Sequence, residues 1–274
     1  MTESGGSPIL RFENVSVAFD GTPALMDVSF QALAGESRVI LGAAGSGKTV
    51  LLKIALGLTR PDSGRVFVFG REIDSMPERE LMDVRSRIGM LFQESALFDS
   101  LTIEENVAYP LVNQRAIHCP KAEVRPRVTE ALDFVELGDT LEKFPSELSG
   151  GMRRRVGIAR AVVTAPPLVL YDSPTAGLDP ITANTIMTLL IKQRDLAQTT
   201  TLIVTHRYQD GFLVANFRYN SEQGRLEPAR DGVVHRARTT FMVLREGRLV
   251  FEGDQDRLEA STDPYVSKFV KRRV

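Results

Sequence analysis

The sequence predicts an α/β fold with a mostly parallel central sheet covered by helices on both faces. Two observations predict it. Short apolar runs of strand length, Val39–Leu41, Ile88–Phe92, Leu168–Tyr171 and Thr200–Val204, alternate with helix-length segments. The first run opens directly into Gly42-Ala43-Ala44-Gly45-Ser46-Gly47-Lys48-Thr49, and the apolar stretch Val50–Leu56 follows. Strand, glycine-rich loop, Lys-Thr and helix is the order a phosphate-binding loop requires.

The elements follow in chain order. Leu10–Phe19 alternates as a strand, Asp20–Pro23 turns, and Ala24–Phe30 returns, a hairpin expected to lie against the loop-bearing strand. Gly64–Gly70 encloses another strand, and Glu78–Ser86 is a charged amphipathic helix. From about 100 to 165 strand runs disappear and helical spacing dominates, in Ile103–Tyr109, Lys121–Val135 and Met152–Val163. That stretch is expected to be a helical insert. Pro180–Leu196 is a helix with proline at its first position and Asp179 as N-cap. Asn216–Arg238 is polar and weakly periodic and reads as a surface loop, with a specific docking element as the alternative. Thr240–Leu244 and Arg248–Phe251 pair across Arg245-Glu246-Gly247, and two short helices, Asp254–Ala260 and Pro264–Lys271, close the chain. One large unit, residues 8–252, with a helical tail at 253–274, is the expected organisation.

The 274 residues carry 43% hydrophobic and 25% charged side chains, ordinary for a globular protein, and a net charge of −1. That balance disfavours nucleic acid as a partner. Cys119 is the one cysteine, so no internal disulfide forms and a reducing compartment fits. Met1–Pro8 reads as a frayed end without a signal peptide. No apolar run is long enough to cross a bilayer, so a membrane role would be peripheral, through a partner.

The chemistry begins at the loop. Glycines let successive N–H groups point at phosphate oxygens, and the following helix adds free N–H groups and the positive end of its dipole. Lys48 can reach the β- and γ-phosphates, and the Thr49 hydroxyl can ligate Mg²⁺. Asp172 ends an apolar strand, where an acid can hold Mg²⁺; alone it is as readily a cap or turn residue. Ser149-Gly150-Gly151 stands at the start of a helix, a second anion cradle by the same physics, or an ordinary serine cap. Two cradles in one chain suggest one nucleotide shared between two surfaces.

Taken together these stretches resemble the ATPase subunits of ABC transporters over nearly the whole chain. Gly42–Thr49 is similar to their Walker A loop, Leu148–Met152 to the signature motif and Leu168–Asp172 to the Walker B strand. Gln93 matches the Q-loop, Ala176-Gly177-Leu178-Asp179 the D-loop, His206 the switch histidine, and Phe19 the adenine-stacking aromatic. The resemblance implies a P-loop NTPase fold with an antiparallel β subdomain and an inserted helical subdomain. It implies ATP and Mg²⁺, with Thr49, Gln93 and Asp172 at the metal and Lys48, Gln93, Ser173 and His206 at the reaction. Phe19, Gly42, Ala43, Ala44, Gly45, Ser46, Gly47, Lys48 and Thr49 would hold the nucleotide, with Ser149, Gly150, Gly151 and Asp179 of a second copy. A head-to-tail homodimer on an integral membrane permease follows, cytoplasmic and peripheral on the inner face of a bacterial inner membrane.

A narrower resemblance, to the ATPase of Mla/MCE lipid-trafficking systems, rests on Ile88–Gln93, Ala96–Thr102, Glu105–Leu111, Met152 and Asp263–Phe269. It implies phospholipid cargo, an MCE-domain partner and in some systems a small STAS-domain regulator. An amino-acid or ion importer is the alternative, since cargo contacts lie in other chains. A soluble ATPase acting on DNA or ribosomes is a different class, disfavoured by the neutral charge and the lack of a second ATPase domain.

Two features depart from the family pattern. Ser173 stands where a glutamate normally follows Walker B. A serine hydroxyl is a poor base, and general-base help is worth typically about 10²–10⁴-fold. Serine could hold the water while His206 and backbone groups supply the rest; another acid such as Asp179 could substitute; or the chain could act as an ATP-gated clamp. Slow but real hydrolysis is the favoured expectation. The second departure is 216–238, which adds Arg218, Arg225, Arg230, Arg236 and Arg238 against Glu222, Glu227 and Asp231. Arg153, Arg154 and Arg155 are expected to be a solvated helix face.

Overall fold

In the computed structural model, which describes residues 7–229 and 239–270, the apolar runs become strands buried on both faces. They are β3 (Ser37–Leu41), β6 (Ile88–Leu91), β7 (Leu168–Asp172) and β8 (Thr200–Thr205). They form one six-stranded sheet with β11 (Thr239–Arg245) and β12 (Arg248–Gly253), in the order β12-β11-β3-β8-β7-β6. All its pairs are parallel except β11–β12. That hairpin turns at Glu246-Gly247, where both residues have positive φ, as a two-residue connection requires.

Alternation along each strand divides the core in two. Val39, Leu41, Val169, Tyr171 and Ile203 face one side, with the helices that follow β6, β7 and β8. Ile40, Leu168, Leu170, Leu202 and Val204 face the other. On that second side lie α1 (Lys48–Ala55), α2 (Glu78–Arg85) and a second, antiparallel sheet. This sheet contains β1 (Pro8–Phe19), β2 (Thr22–Leu33), β4 (Ser63–Val68) and β5 (Arg71–Glu72), in the order β2-β1-β4-β5. The expected N-terminal hairpin exists, but it does not hydrogen-bond to the loop-bearing strand. β1 pairs with β4 instead, and the two sheets meet face to face through side chains such as Phe12, Val28 and Ile40.

Between β6 and β7 the chain is helical: α3 (Ile103–Asn113), α4 (Lys121–Phe134), two single 3₁₀ turns and α5 (Gly150–Val162). α3 opens on a full capping box, Thr102 with Glu105. After β7 comes α6 (Pro180–Ala197), capped by Asp179 as the sequence predicts. No helix among the described residues is long and apolar enough to cross a membrane.

The polar segment after β8 differs from expectation. It follows α7 (Tyr208–Asn216) and, instead of a surface loop, forms a hairpin, β9 (Phe217–Asn220) with β10 (Arg225–Pro228). The hairpin is fastened to α6. Arg194 donates to Val214 O (2.5 Å) and Phe217 O (2.9 Å), and Asp195 accepts from the Tyr219 N–H (2.7 Å). Its residues are mostly half-buried, so neither strand shows the alternation that would have marked it. Arg230, Asp231, Arg236 and Arg238 lie outside the described residues, as does Met1–Gly6 of the expected frayed end. The tail forms α8 (Gln255–Glu259) and α9 (Ser267–Val270); Lys271, the expected end of the last helix, is also outside the described residues.

Candidate functional site

The glycine-rich loop links β3 to α1, and its glycines are required by contact as well as by torsion. Gly47 has φ +102°, and a Cβ there would lie 2.5 Å from Ala24 O. A Cβ on Gly42 would lie 2.4 Å from Ser46 Oγ. The backbone is therefore drawn in tightly, leaving the first turn of α1 without an acidic side chain to compete for its N–H groups.

Lys48 curls back over the loop. Its ammonium donates to Gly42 O (2.8 Å), Ala43 O (2.7 Å) and Ser46 Oγ (3.3 Å). Burial pushes it below its ordinary lysine value, and the Asp172 carboxylate opposes part of that shift. An incoming anion would relieve the same desolvation, which suits the side chain to phosphate. The Thr49 hydroxyl donates to Asp172 Oδ2 (2.9 Å), bringing two hard oxygen ligands together between α1 and the end of β7. That pair fits a divalent cation held against phosphates.

Around this loop lies a cavity of about 660 Å³. Its wall includes Ala43, Ala44, Gly45, Lys48, Thr49, Gln93, Ser173 and His206, brought from four separate stretches of the chain. Strand order explains the convergence. β8 lies between β3 and β7, so the C-terminal ends of all three strands open on one side. Ser173 follows Asp172 with φ 48°, its N–H donated to Val204 O (2.8 Å). This left-handed turn releases the chain from the strand and aims it across the cavity mouth. Phe19 ends β1 half-exposed, and it is not part of this wall.

Ser149, Gly150, Gly151 and Asp179 line a different cavity, of about 600 Å³. Ser149 caps α5, accepting the Met152 N–H on its Oγ (3.2 Å); the helix begins at Gly150, so both glycines form its first turn rather than preceding it. A Cβ on Gly151 would come 2.6 Å from Thr182 Cγ2. Asp179 accepts the Ile181 and Thr182 N–H groups at 3.0 Å and the Thr182 hydroxyl at 2.6 Å. The Thr182 hydroxyl, then its N–H, hold this carboxyl below its usual range. The two segments expected to bind anions thus open on separate cavities within one chain.

Three side-chain groups escaped the sequence reading. Asp210, on α7, is buried, and its Oδ2 accepts the hydroxyls of Thr175 and Thr205, each at 2.7 Å. It ties the segment after Ser173 to the segment carrying His206. Burial raises its pKa against the pull of both hydroxyls and of the Arg207 and His206 charges. An acid four residues past His206 was the available signal. Tyr265 accepts the Ala43 N–H (3.3 Å) and donates to Leu244 O (3.3 Å), and Lys268 and Phe269 join it on the wall of the loop cavity. The third group corrects an expectation. Arg153 is exposed, as expected of a solvated face, but Arg154 is buried and Arg155 half-buried, and each guanidinium donates to backbone carbonyls: Arg153 to Leu148 O, Arg154 to Gln93 O and Ala176 O, Arg155 to Val135 O. Consecutive arginines point in three directions around a helix, so a run of charge says nothing about which one is buried.

Residues 25–176 match the family model described as ABC transporter. The chain is 41% identical over 201 residues to the methionine import ATP-binding protein MetN of Mesorhizobium japonicum, covering 73% of this chain and 54% of that protein. It therefore spans little more than half the length of that relative. It is 34% identical over 264 residues to the probable ribonucleotide transport ATP-binding protein mkl of Mycobacterium leprae, covering 96% of this chain and 69% of that one. Its fold is similar to an ATP-binding cassette solved as a dimer in a post-hydrolysis state with ADP and Pi. There the TM-score is 0.74 and the identity 29%, over 89% of this chain and 98% of that one.

Proposed function

The chain belongs to the ABC transporter family of ATP-binding subunits, and from that premise we propose that it is the ATP-hydrolysing, energy-coupling subunit of an importer. The carrying observation is that the two anion cradles lie on separate cavities of one chain. A two-fold pair of copies would close each loop cavity with the other copy's Ser149–Gly151. The dimeric post-hydrolysis relative supports that reading. Lys48 and the α1 N-terminus would grip the phosphates, Thr49, Asp172 and Gln93 would hold Mg²⁺, and His206 and Ser173 would face the attacking water. Mg²⁺ would supply charge neutralisation on the phosphates. Because Ser173 is a poor base, hydrolysis would be slow but real. Residues 8–252 would act as the ATPase domain, with 253–274 as a tail. The subunit would sit at the cytoplasmic face of a bacterial inner membrane, bound to a permease.

For cargo, the methionine-import relatives support an amino-acid importer. A lipid system with an MCE-domain protein and a STAS-domain regulator is the second reading. It is favoured by the way the residues of that narrower resemblance are built in. The Phe98 and Tyr109 rings, both half-exposed, pack tilted with centroids 4.7 Å apart, and the buried Asn106 amide holds the Phe98 backbone. Cargo-stimulated phosphate release from the chain co-purified with its permease decides. Stimulation by methionine or another amino acid, with no response to phospholipid, supports the importer. The reverse pattern supports the lipid system. Absence of phosphate release with either would sink the energy-coupling proposal.

A further inference from the structure

The helix that begins at the second anion cradle is locked along its length to the wall of the first cavity. Three consecutive turns of α5 make the lock. Arg154 donates through one Nη to Gln93 O and through the other to Ala176 O (3.3 Å). Gly157 lies so close that a Cβ would meet Leu91 Cδ1 at 2.8 Å and Ser95 Cβ at 3.2 Å. Arg160 donates to Ser95 O (2.6 Å) and Ala96 O (2.8 Å). Positions 154, 157 and 160 share one helix face, and the segment they hold passes through Gln93 in a conformation with positive φ at Ser95 and Ala96. Such a segment cannot slide along α5 without breaking these bonds.

Arg154 is the member that reaches the site. It is buried, and among the described residues it makes no ion pair; Asp172 and Glu94 act on it only through space. A buried cation spent on two carbonyls is a costly way to hold a loop. The two carbonyls, however, belong to Gln93 and Ala176, which stand on the wall of the loop cavity. One turn away, at Ser149–Gly151, the same helix offers its free N-terminus to the other cavity.

We infer that Arg154 is a positioning residue that couples the two nucleotide sites of the dimer. It would transmit the seating of α5 on one copy's nucleotide to Gln93 and Ala176 around its own. This deepens the proposed dimeric ATPase and rests on it. The guanidinium is suited to the task because its planar fork spans two acceptors, whereas an ammonium can hold one firmly.

The test is phosphate release against ATP concentration in the full-length chain, for wild type, Arg154→Gln and Arg154→Lys. With two coupled sites the wild-type Hill coefficient is expected at about 1.5–2. Arg154→Gln is expected to bring it to about 1, while the affinity for a fluorescent ATP analogue changes by less than about twofold. Arg154→Lys should recover part of the cooperativity. A Hill coefficient in Arg154→Gln equal to that of wild type would overturn the inference. So would equal loss of nucleotide binding in both variants, which marks a residue needed only for folding. Light scattering with ATP separates the two levels. A wild type that never dimerises removes the dimer reading and the coupling together, whereas a normal dimer with unaltered cooperativity in the variants removes the coupling alone.

Discussion

Replacing Ser173 with glutamate tests the chemistry most directly. The position has room: the side chain faces a cavity of about 660 Å³. The backbone imposes no new strain, because Ser173 already holds φ 48° with its own Cβ in place. A well-placed general base contributes about 10²–10⁴-fold. Two local features reduce that. Asp172 is the adjacent carboxylate, and a like charge so close disfavours ionisation of the new glutamate. The surrounding side chains also did not evolve to orient it. Turnover is therefore expected to rise about 10–100-fold, equivalent to about 1.4–2.8 kcal/mol off the barrier. The assay is phosphate release at saturating MgATP in the assembled complex at pH 8, with nucleotide affinity measured alongside. The base must be ionised, so the gain should be greatest at pH 8 and shrink as falling pH protonates the new carboxylate. No rise at pH 8, or a fall, with ATP binding intact would refute the claim that Ser173 limits hydrolysis.

Other predictions concern the frame of the site. Asp210→Asn keeps an acceptor for the Thr175 and Thr205 hydroxyls but removes a titration. Because the folded pKa is raised, the native state holds the proton more tightly, so this group's stabilising contribution is present below the unfolded value near 3.8 and lost as pH rises through the folded value. Urea denaturation across that window should show wild type losing stability with rising pH and Asp210→Asn lacking that component; parallel curves would contradict the assignment. Asp210→Ala, which strands both hydroxyls, should cost about 2–4 kcal/mol. Gly47→Ala puts a Cβ 2.5 Å from Ala24 O at φ +102° and is expected to cost about 2–3 kcal/mol, lowering the melting temperature by about 4–12 °C. Arg194→Ala leaves Val214 O and Phe217 O without their donor and should cost about 2–3 kcal/mol. Hydrogen exchange at 217–228 would rise with it, and unchanged exchange there would mean the hairpin is held by packing alone.

Much of the fold was legible in the sequence because its signals are local. β3, β7 and β8 are short apolar runs with no alternation, the mark of strands buried on both faces. The α6 start was legible because Asp179 and Pro180 carry cap chemistry in adjacent residues. The β9–β10 hairpin was not. Its half-buried residues carry no period, and the groups that hold it, Arg194 and Asp195, stand on α6, remote in sequence from the strands they fix. The arginine run was legible only in part, for a related reason: Arg153 is exposed and Arg154 is not. Arg153, Arg154 and Arg155 look alike in a row, and only the position of Gln93 and Ala176 against α5 distinguishes the middle one.

The sequence alone determined the residue types on offer: a glycine-rich loop suited to an anion, a hydroxyl and a carboxylate suited to a cation, a serine where the family resemblance implies a glutamate. Those are properties of residue type and spacing, and they survive without coordinates. Tertiary structure decided which parts share a space. The order β3-β8-β7 gathers Lys48, Thr49, Asp172, Ser173 and His206 at one sheet end, because parallel strands open their C-terminal ends together. It also sends Ser149–Gly151 to another cavity. One helix reaches both cavities: its cap faces one, and a buried guanidinium one turn later holds the wall of the other. Such a relation between remote segments has no local trace, since it arises from how the chain packs rather than from any stretch of it.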